Sequence, residues 1–174
     1  MIVPFGAGEL FNQWGFKNVE EIKINDLRYV GDIPIQATFA LHSGFRPALG
    51  PTTSALGFLI QGEQQIYFAG DTDIFPDMEN LSANLDVALL PIWGWGPTLG
   101  RGHLNPYRAA RALQLLKPDI AIPIHWGTFQ PMGTHWMNLS YMTTPPIKFT
   151  LHAKRLMPEV SIKVLQPGQS LQIR

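Results

Sequence analysis

The chain has 174 residues, 45% of them hydrophobic and only 15% charged, and its 13 basic and 13 acidic side chains leave a formal net charge of zero. That length suits one domain with a sizeable core, and a charged share well below the typical value of roughly 25% excludes a disordered chain. Neutrality without any run of Lys or Arg argues against nucleic acid as a partner, and the absence of cysteine excludes disulfides and thiolate ligands, so a bound metal would be held by His, Asp or Glu.

In chain order, Ile2 to Phe5 is a short apolar run ending at Gly6, and Gly8 to Trp14 predicts a brief helix stopped by Gly15. Val19 to Ile24 and Ile33 to Leu41 read as strands, the second alternating through Ile33, Ile35, Ala37 and Phe39, with His42 just past its end. A Gly- and Pro-containing loop from Ser43 to Thr53 leads to strands Ala55 to Ile60 and Gln65 to Ala69, joined by a turn at Gln61-Gly62-Glu63-Gln64. This hairpin delivers Gly70 and Asp71 to a strand terminus. Asp86 to Ile92 is another apolar strand, followed by a Trp- and Gly-rich loop from Trp93 to Gly102.

Asn105 is a good N-cap with Pro106 at the first helical position, and Ala109, Ala110, Leu113 and Leu116 make an apolar helix face that stops at Pro118. Ile120 to Ile124 is a strand ending at His125. Ile147 to Leu156 reads as a helix, and Val160 to Leu165 with Leu171 to Ile173 as a closing hairpin around Pro167-Gly168. No apolar stretch approaches the roughly 20 residues that span a bilayer, and Met1-Ile2-Val3-Pro4 lacks the basic start of a signal peptide, so a cytoplasmic protein is the expectation.

Polar residues held at strand ends are the candidates for chemistry. Asp71 between Gly70 and Thr72 suits an ordinary turn cap, and equally a carboxylate bridging two cations with Gly70 allowing close backbone approach. His42 is either a hydrogen-bonded structural residue or a ligand. His125, behind the buried Ile122-Pro123-Ile124 and before the sharp Trp126-Gly127 turn, is expected to be desolvated and oriented, as a metal ligand or as a core histidine bonded to a carbonyl. His103, two residues before the helix N-cap, faces either a site at the helix start or a structural partner. His135 and His152 lie in a less patterned tail and read as surface or packing residues. Trp93 and Trp95 either line an apolar pocket or simply pack.

Taken together and in order, T-F-A-L-H-S-G-F-R around His42, Y-F-A-G-D-T at 67 to 72, G-H-L-N-P at 102 to 106 and I-P-I-H-W-G-T-F at 122 to 129 resemble the metallo-β-lactamase fold hydrolases. The resemblance is greatest to the branch with ascorbate-6-phosphate lactonase-like proteins and N-acylphosphatidylethanolamine-hydrolysing phospholipase D. It implies an α/β (α+β) chain forming part of an αββα sandwich, with residues 1 to 174 as a single domain corresponding to the C-terminal portion of such proteins. It further implies that His42 is a first-metal ligand, Asp71 the bridging carboxylate, His125 a second-metal ligand, and His103 a non-ligand histidine facing the substrate, so that Asp71 and His103 carry catalysis. In the complete site two cations, Zn or else Mn or Fe, hold a hydroxide that attacks a small-molecule phosphodiester, lactone or other ester.

The chain departs from the family in one respect. The family's His-x-His-x-Asp-His motif, which belongs upstream of Ile2, is absent, so the N-terminal metal-motif half is lacking. The isolated chain is expected to bind metal weakly or not at all, and to need a second copy or a complementing chain over its exposed sheet. The alternative is a non-catalytic half-domain serving as an interaction module.

Overall fold

The structure, a computed structural model, describes residues 1–43, 53–81, 83–94, 99–128, 132–133, 136 and 139–173. The chain opens with β1 (Ile2–Pro4), α1 (Gly8–Gln13) and β2 (Glu20–Ile22), the two strands pairing in parallel with Val3 opposite Glu21. Helix α1 has no side-chain cap of its own. Its lead-in is held instead by Glu21, whose Oε1 accepts the N–H groups of Gly6 and Gly8 at 3.0 and 2.7 Å, satisfying donors that a helix start leaves free. A Cβ on Gly8 would lie 2.8 Å from that oxygen, so a larger residue there would push the carboxylate aside.

The other strands form one seven-stranded sheet in sequence order: β3 (Leu27–Val30), β4 (Ile33–Phe39), β5 (Leu56–Gln61), β6 (Gln65–Phe68), β7 (Val87–Pro91), β8 (Ile120–Ile124) and β9 (Ser161–Ile162). Pairings from β3 to β6 are antiparallel and those from β6 to β9 are parallel. Parallel pairing needs a crossover. A 3₁₀ helix over Pro76–Leu81, then α2 (Pro106–Leu116), then α3 (Pro145–Leu156) fall in the three connections.

Strand alternation sorts the side chains. Leu59, Tyr67, Ala88, Leu90 and Ala121 fall on one face and are buried in the main core with Ala109, Leu113 and Leu116 of α2 and Phe149 and Ala153 of α3. The opposite face carries Ile35, Phe39, Ile60 and Phe68, which remain partly or largely exposed. Among the described residues no helix is long and apolar enough to cross a membrane.

Three expectations are corrected. No strand is expected between Ile24 and Ile33, yet β3 forms there through a two-residue turn at Gly31-Asp32, where Gly31 takes φ +61°. Helix α3 begins at Pro145 rather than Ile147, because Pro145 and Pro146 occupy first-turn positions that need no N–H partner. The closing hairpin is not formed: Gln166 to Gln169 make a turn, but Leu171 to Ile173 are not a strand. Those three half-exposed residues bury too little apolar surface to hold a ribbon beside the two-residue β9.

Candidate functional site

Strands β4 and β6 are both antiparallel to β5, and β6, β7 and β8 run in parallel, so β4, β6, β7 and β8 all end at one rim. The four residues singled out in the sequence follow those ends: His42 after β4, Asp71 after β6, His103 between β7 and α2, and His125 after β8. They are remote along the chain and adjacent in the fold.

Thr72 ties three of the segments together. It is fully buried, and its Oγ1 accepts the Leu41 N–H at 2.9 Å and donates to the Asp73 carbonyl at 2.9 Å. Its own carbonyl accepts the Leu104 N–H at 2.9 Å, which fastens the His103 segment to the same point. Asp73 N–H donates to the Leu41 carbonyl at 3.0 Å, closing a small bridge beside His42. Asp73 Oδ1 also accepts from Arg108 Nε at 2.6 Å, and the Arg108 N–H donates to the Asn105 cap at 2.9 Å, so the first turn of α2 is keyed to the rim. Gly102, at φ +83°, passes so close to His42 that a Cβ there would lie 3.2 Å from Leu41 O and 3.3 Å from His42 Cα. That approach sets the His42 and His103 rings edge to face, with centroids 4.6 Å apart.

The other pair is Asp71 and His125. His125 Nδ1 donates to Asp71 Oδ1 at 3.0 Å. Gly70 takes φ +63°, and a Cβ on it would lie 2.7 Å from Leu56 O, so the expected close backbone approach before Asp71 is present. His125 itself has φ +56°, a left-handed conformation costing a non-glycine residue roughly 1–2 kcal/mol. His125 is oriented as expected but not desolvated: its side chain is 37% exposed and that of Asp71 48%. The left-handed turn carries the ring off the strand axis and over the carboxylate, with the Phe68 ring edge-on to it at 6.4 Å. The His125 hydrogen bond holds the Asp71 carboxyl below its ordinary range; partial burial opposes this, and the charges of His125, His42 and His103 add to the lowering. All four residues therefore share one electrostatic site.

Imidazole nitrogen and carboxylate oxygen are suitable donors for zinc, manganese or iron. Among the described residues, however, no three His, Asp or Glu side chains stand together as a metal-holding group. His125 Nδ1 is turned to Asp71, and the His42 and His103 rings face each other, so these donors do not close a coordination shell by themselves. Sequence reasoning overlooked Thr72, Asp73 and Arg108. Their signal was the Thr-Asp pair directly after Asp71 and a cation three residues past the Asn105 cap. Trp95, His135 and most of the loop after Ser43, with its Phe45 and Arg46, lie outside the described residues.

Among curated relatives, a UPF0173 metal-dependent hydrolase of Methanopyrus kandleri is 32% identical over 162 residues, covering 90% of this chain and 64% of the relative. The chain thus spans less than two thirds of that protein's length. Among solved structures, the metallo hydrolase Igni18 of Ignicoccus hospitalis superposes with a TM-score of 0.74 at 22% identity, over 98% of this chain and 66% of that one. CmlA, a diiron beta-hydroxylase of Streptomyces venezuelae, superposes with a TM-score of 0.68 at 18% identity, over 94% of this chain and 38% of that one. The mixed α/β architecture is thus one on which metal proteins of different chemistry are built. Residues 4–126, well over half the chain and including all four rim residues, match the family described as the beta-lactamase superfamily domain, and the chain belongs to that family.

Proposed function

We propose that this chain supplies His42, Asp71, His103 and His125 to the active centre of a metal-dependent hydrolase that acts on a small-molecule phosphodiester, lactone or other ester. Within the superfamily we place it on the branch of ascorbate-6-phosphate lactonase-like and N-acylphosphatidylethanolamine phospholipase D-like proteins, as one domain from the C-terminal portion. The observation that carries this reading is the convergence of those four side chains on one rim, with Asp71 responding to all three imidazoles. The name of the Methanopyrus kandleri relative, a metal-dependent hydrolase, points the same way.

The residues present have definable work. Because Nδ1 of His125 donates to Asp71, the neutral ring keeps its lone pair on Nε2, the form that a ligand or a base requires. The left-handed backbone at His125 is strain maintained where the ring must be aimed. His103 Nδ1 is buried with no hydrogen-bond partner among the described residues, so it is a polar group that the fold leaves for something else to satisfy. We assign it to a substrate oxygen. The metal would come to these groups together with further ligands from another segment, and its chemistry belongs to that complete assembly.

The test provides those further ligands. The purified chain is combined with the amino-terminal segment of a UPF0173 relative and Zn²⁺, Mn²⁺ or Fe²⁺, then assayed on an aryl phosphodiester, a lactone and an aryl ester. Hydrolysis of at least one, with stoichiometric metal uptake and a loss of about 100-fold or more in Asp71→Asn, is the expected result. No metal uptake and no hydrolysis would favour the non-catalytic interaction module instead.

A further inference from the structure

A cavity of about 470 Å³ opens between the first turns of α2 and α3, walled by Asn105, Tyr107, Ser140, Tyr141, Lys148 and His152. It is large enough for a small organic ligand rather than a bare ion. Both helices start from the carboxyl rim of the sheet, so the cavity opens on the same side as the Asp71 site. The short segment from His103 to Asn105 connects the two.

The wall is cationic and contains no carboxylate. The charge is local rather than general: α2 and α3 carry Arg108, Arg111, Lys148, Lys154 and Arg155 and no Asp or Glu, in a chain whose net charge is zero. Arg108 is committed to Asp73. Lys148 forms no ion pair among the described residues and is exposed. His152 stands one helical turn further on, on the same side of α3, and the Tyr107 ring meets it edge to face at 5.3 Å, which fixes the imidazole in the wall. Lys148 and His152 both line this concave site together with Tyr107 and Tyr141, and their ammonium, imidazole and hydroxyl groups are all able to donate to oxygen. His152 is half-buried and packs against Tyr107, as a packing residue does, and it also lines the cavity.

We propose that this cavity is an oxyanion subsite, taking a carboxylate or phosphate substituent of a small substrate whose ester bond lies at the Asp71 and His125 rim. The subsite narrows the substrate class to anionic esters, and only that consequence rests on the hydrolase reading; the anion site itself does not.

The test reads binding without turnover. The full chain, labelled with ¹⁵N, is titrated with inorganic phosphate and separately with acetate, at ionic strength held constant by chloride, while the histidine ring resonances are followed. A saturable shift of the His152 ring with either anion, with His125 unmoved, is expected, and the anion that binds more tightly identifies the substituent. Lys148→Gln should weaken binding by about tenfold or more, Lys148→Arg should retain it, and Lys154→Gln, on the same helix outside the cavity wall, should leave it unchanged. No saturable shift at His152, an equal loss in Lys154→Gln, or a shift shared with His125 would overturn the subsite. Because the readout needs no hydrolysis, its failure leaves the hydrolase reading standing, and a failed hydrolase assay leaves the subsite standing.

Discussion

At the scale of single residues, Asp71 is where the chemistry of the rim is set. Its carboxyl has an ordinary pKa of 3.8 and is held lower in the fold, first by the hydrogen bond from His125. A carboxylate with a depressed folded pKa adds stability that is present above its unfolded value and is lost as pH falls through the folded value. The contribution is therefore retained at neutral pH and is lost progressively as pH falls below 3.8 toward the lower folded value. In Asp71→Asn that part of the acid response should vanish, so the gap between the urea midpoints of wild type and variant should shrink as pH falls from about 5 downward. A gap that stays constant or widens on acidification would mean that the His125 contact does not favour the ionised carboxyl. The positions of Asp71, His42, His103 and His125 were legible in the sequence because each follows an apolar run that ends in turn-forming residues. The exposure of His125 was not, because a positive φ at a histidine leaves no mark in composition or periodicity.

At the scale of elements, the rim depends on Thr72, whose buried hydroxyl joins the end of β4 to the turn after β6 and whose backbone carbonyl holds the lead-in to α2. Thr72 Oγ1 is the acceptor for the Leu41 N–H, and its removal leaves that donor without a partner in a closely packed place. Thr72→Val keeps the shape and deletes the bond. The expected cost is about 1–3 kcal/mol in chemical denaturation, because the buried group is orphaned rather than merely released to water. The His42 ring resonance should shift more than that of His103, since the Leu41 segment loses its bond while the Leu104 N–H keeps the Thr72 carbonyl. An unchanged midpoint would show that the Asp73 to Leu41 bridge suffices alone. Threonine after aspartate is ordinary turn chemistry, so the Thr-Asp pair after Asp71 is too weak a signal to specify this role. Elements with strong local signals were placed well, notably α2 with its Asn105 cap and Pro106. The four-residue β3 was missed because its one signal, glycine followed by aspartate between apolar residues, is short. The turn at Pro167-Gly168 forms without the strand pairing it suggests, because a turn signal does not itself supply the apolar contacts that hold a ribbon.

At the scale of the whole molecule, the parallel half of the sheet could be read from strands alternating with a capped helix, and the ordered motifs placed the chain in its family before any geometry was known. What periodicity alone could not show is how unequally the two sheet faces are covered. The helices close one face, while Ile33 and Phe39 of β4 remain exposed on the other, and β3 stands at the sheet edge with Leu27, Tyr29 and Val30 exposed. An edge strand with apolar side chains and unpaired backbone groups is a template for further pairing. In isolation the chain should therefore associate as its concentration rises, which light scattering coupled to size exclusion measures directly. Tyr29→Lys places a charge on the edge at a position that is already solvent-facing, so it should shift the population toward monomer while leaving the thermal midpoint close to wild type. Phe39→Lys places the charge on the open face instead. If only Phe39→Lys disperses the chain, association runs through the face; if only Tyr29→Lys does, it runs through strand pairing at β3. A chain that stays monomeric at every concentration without either substitution would mean that the exposed apolar side chains are too scattered to drive contact.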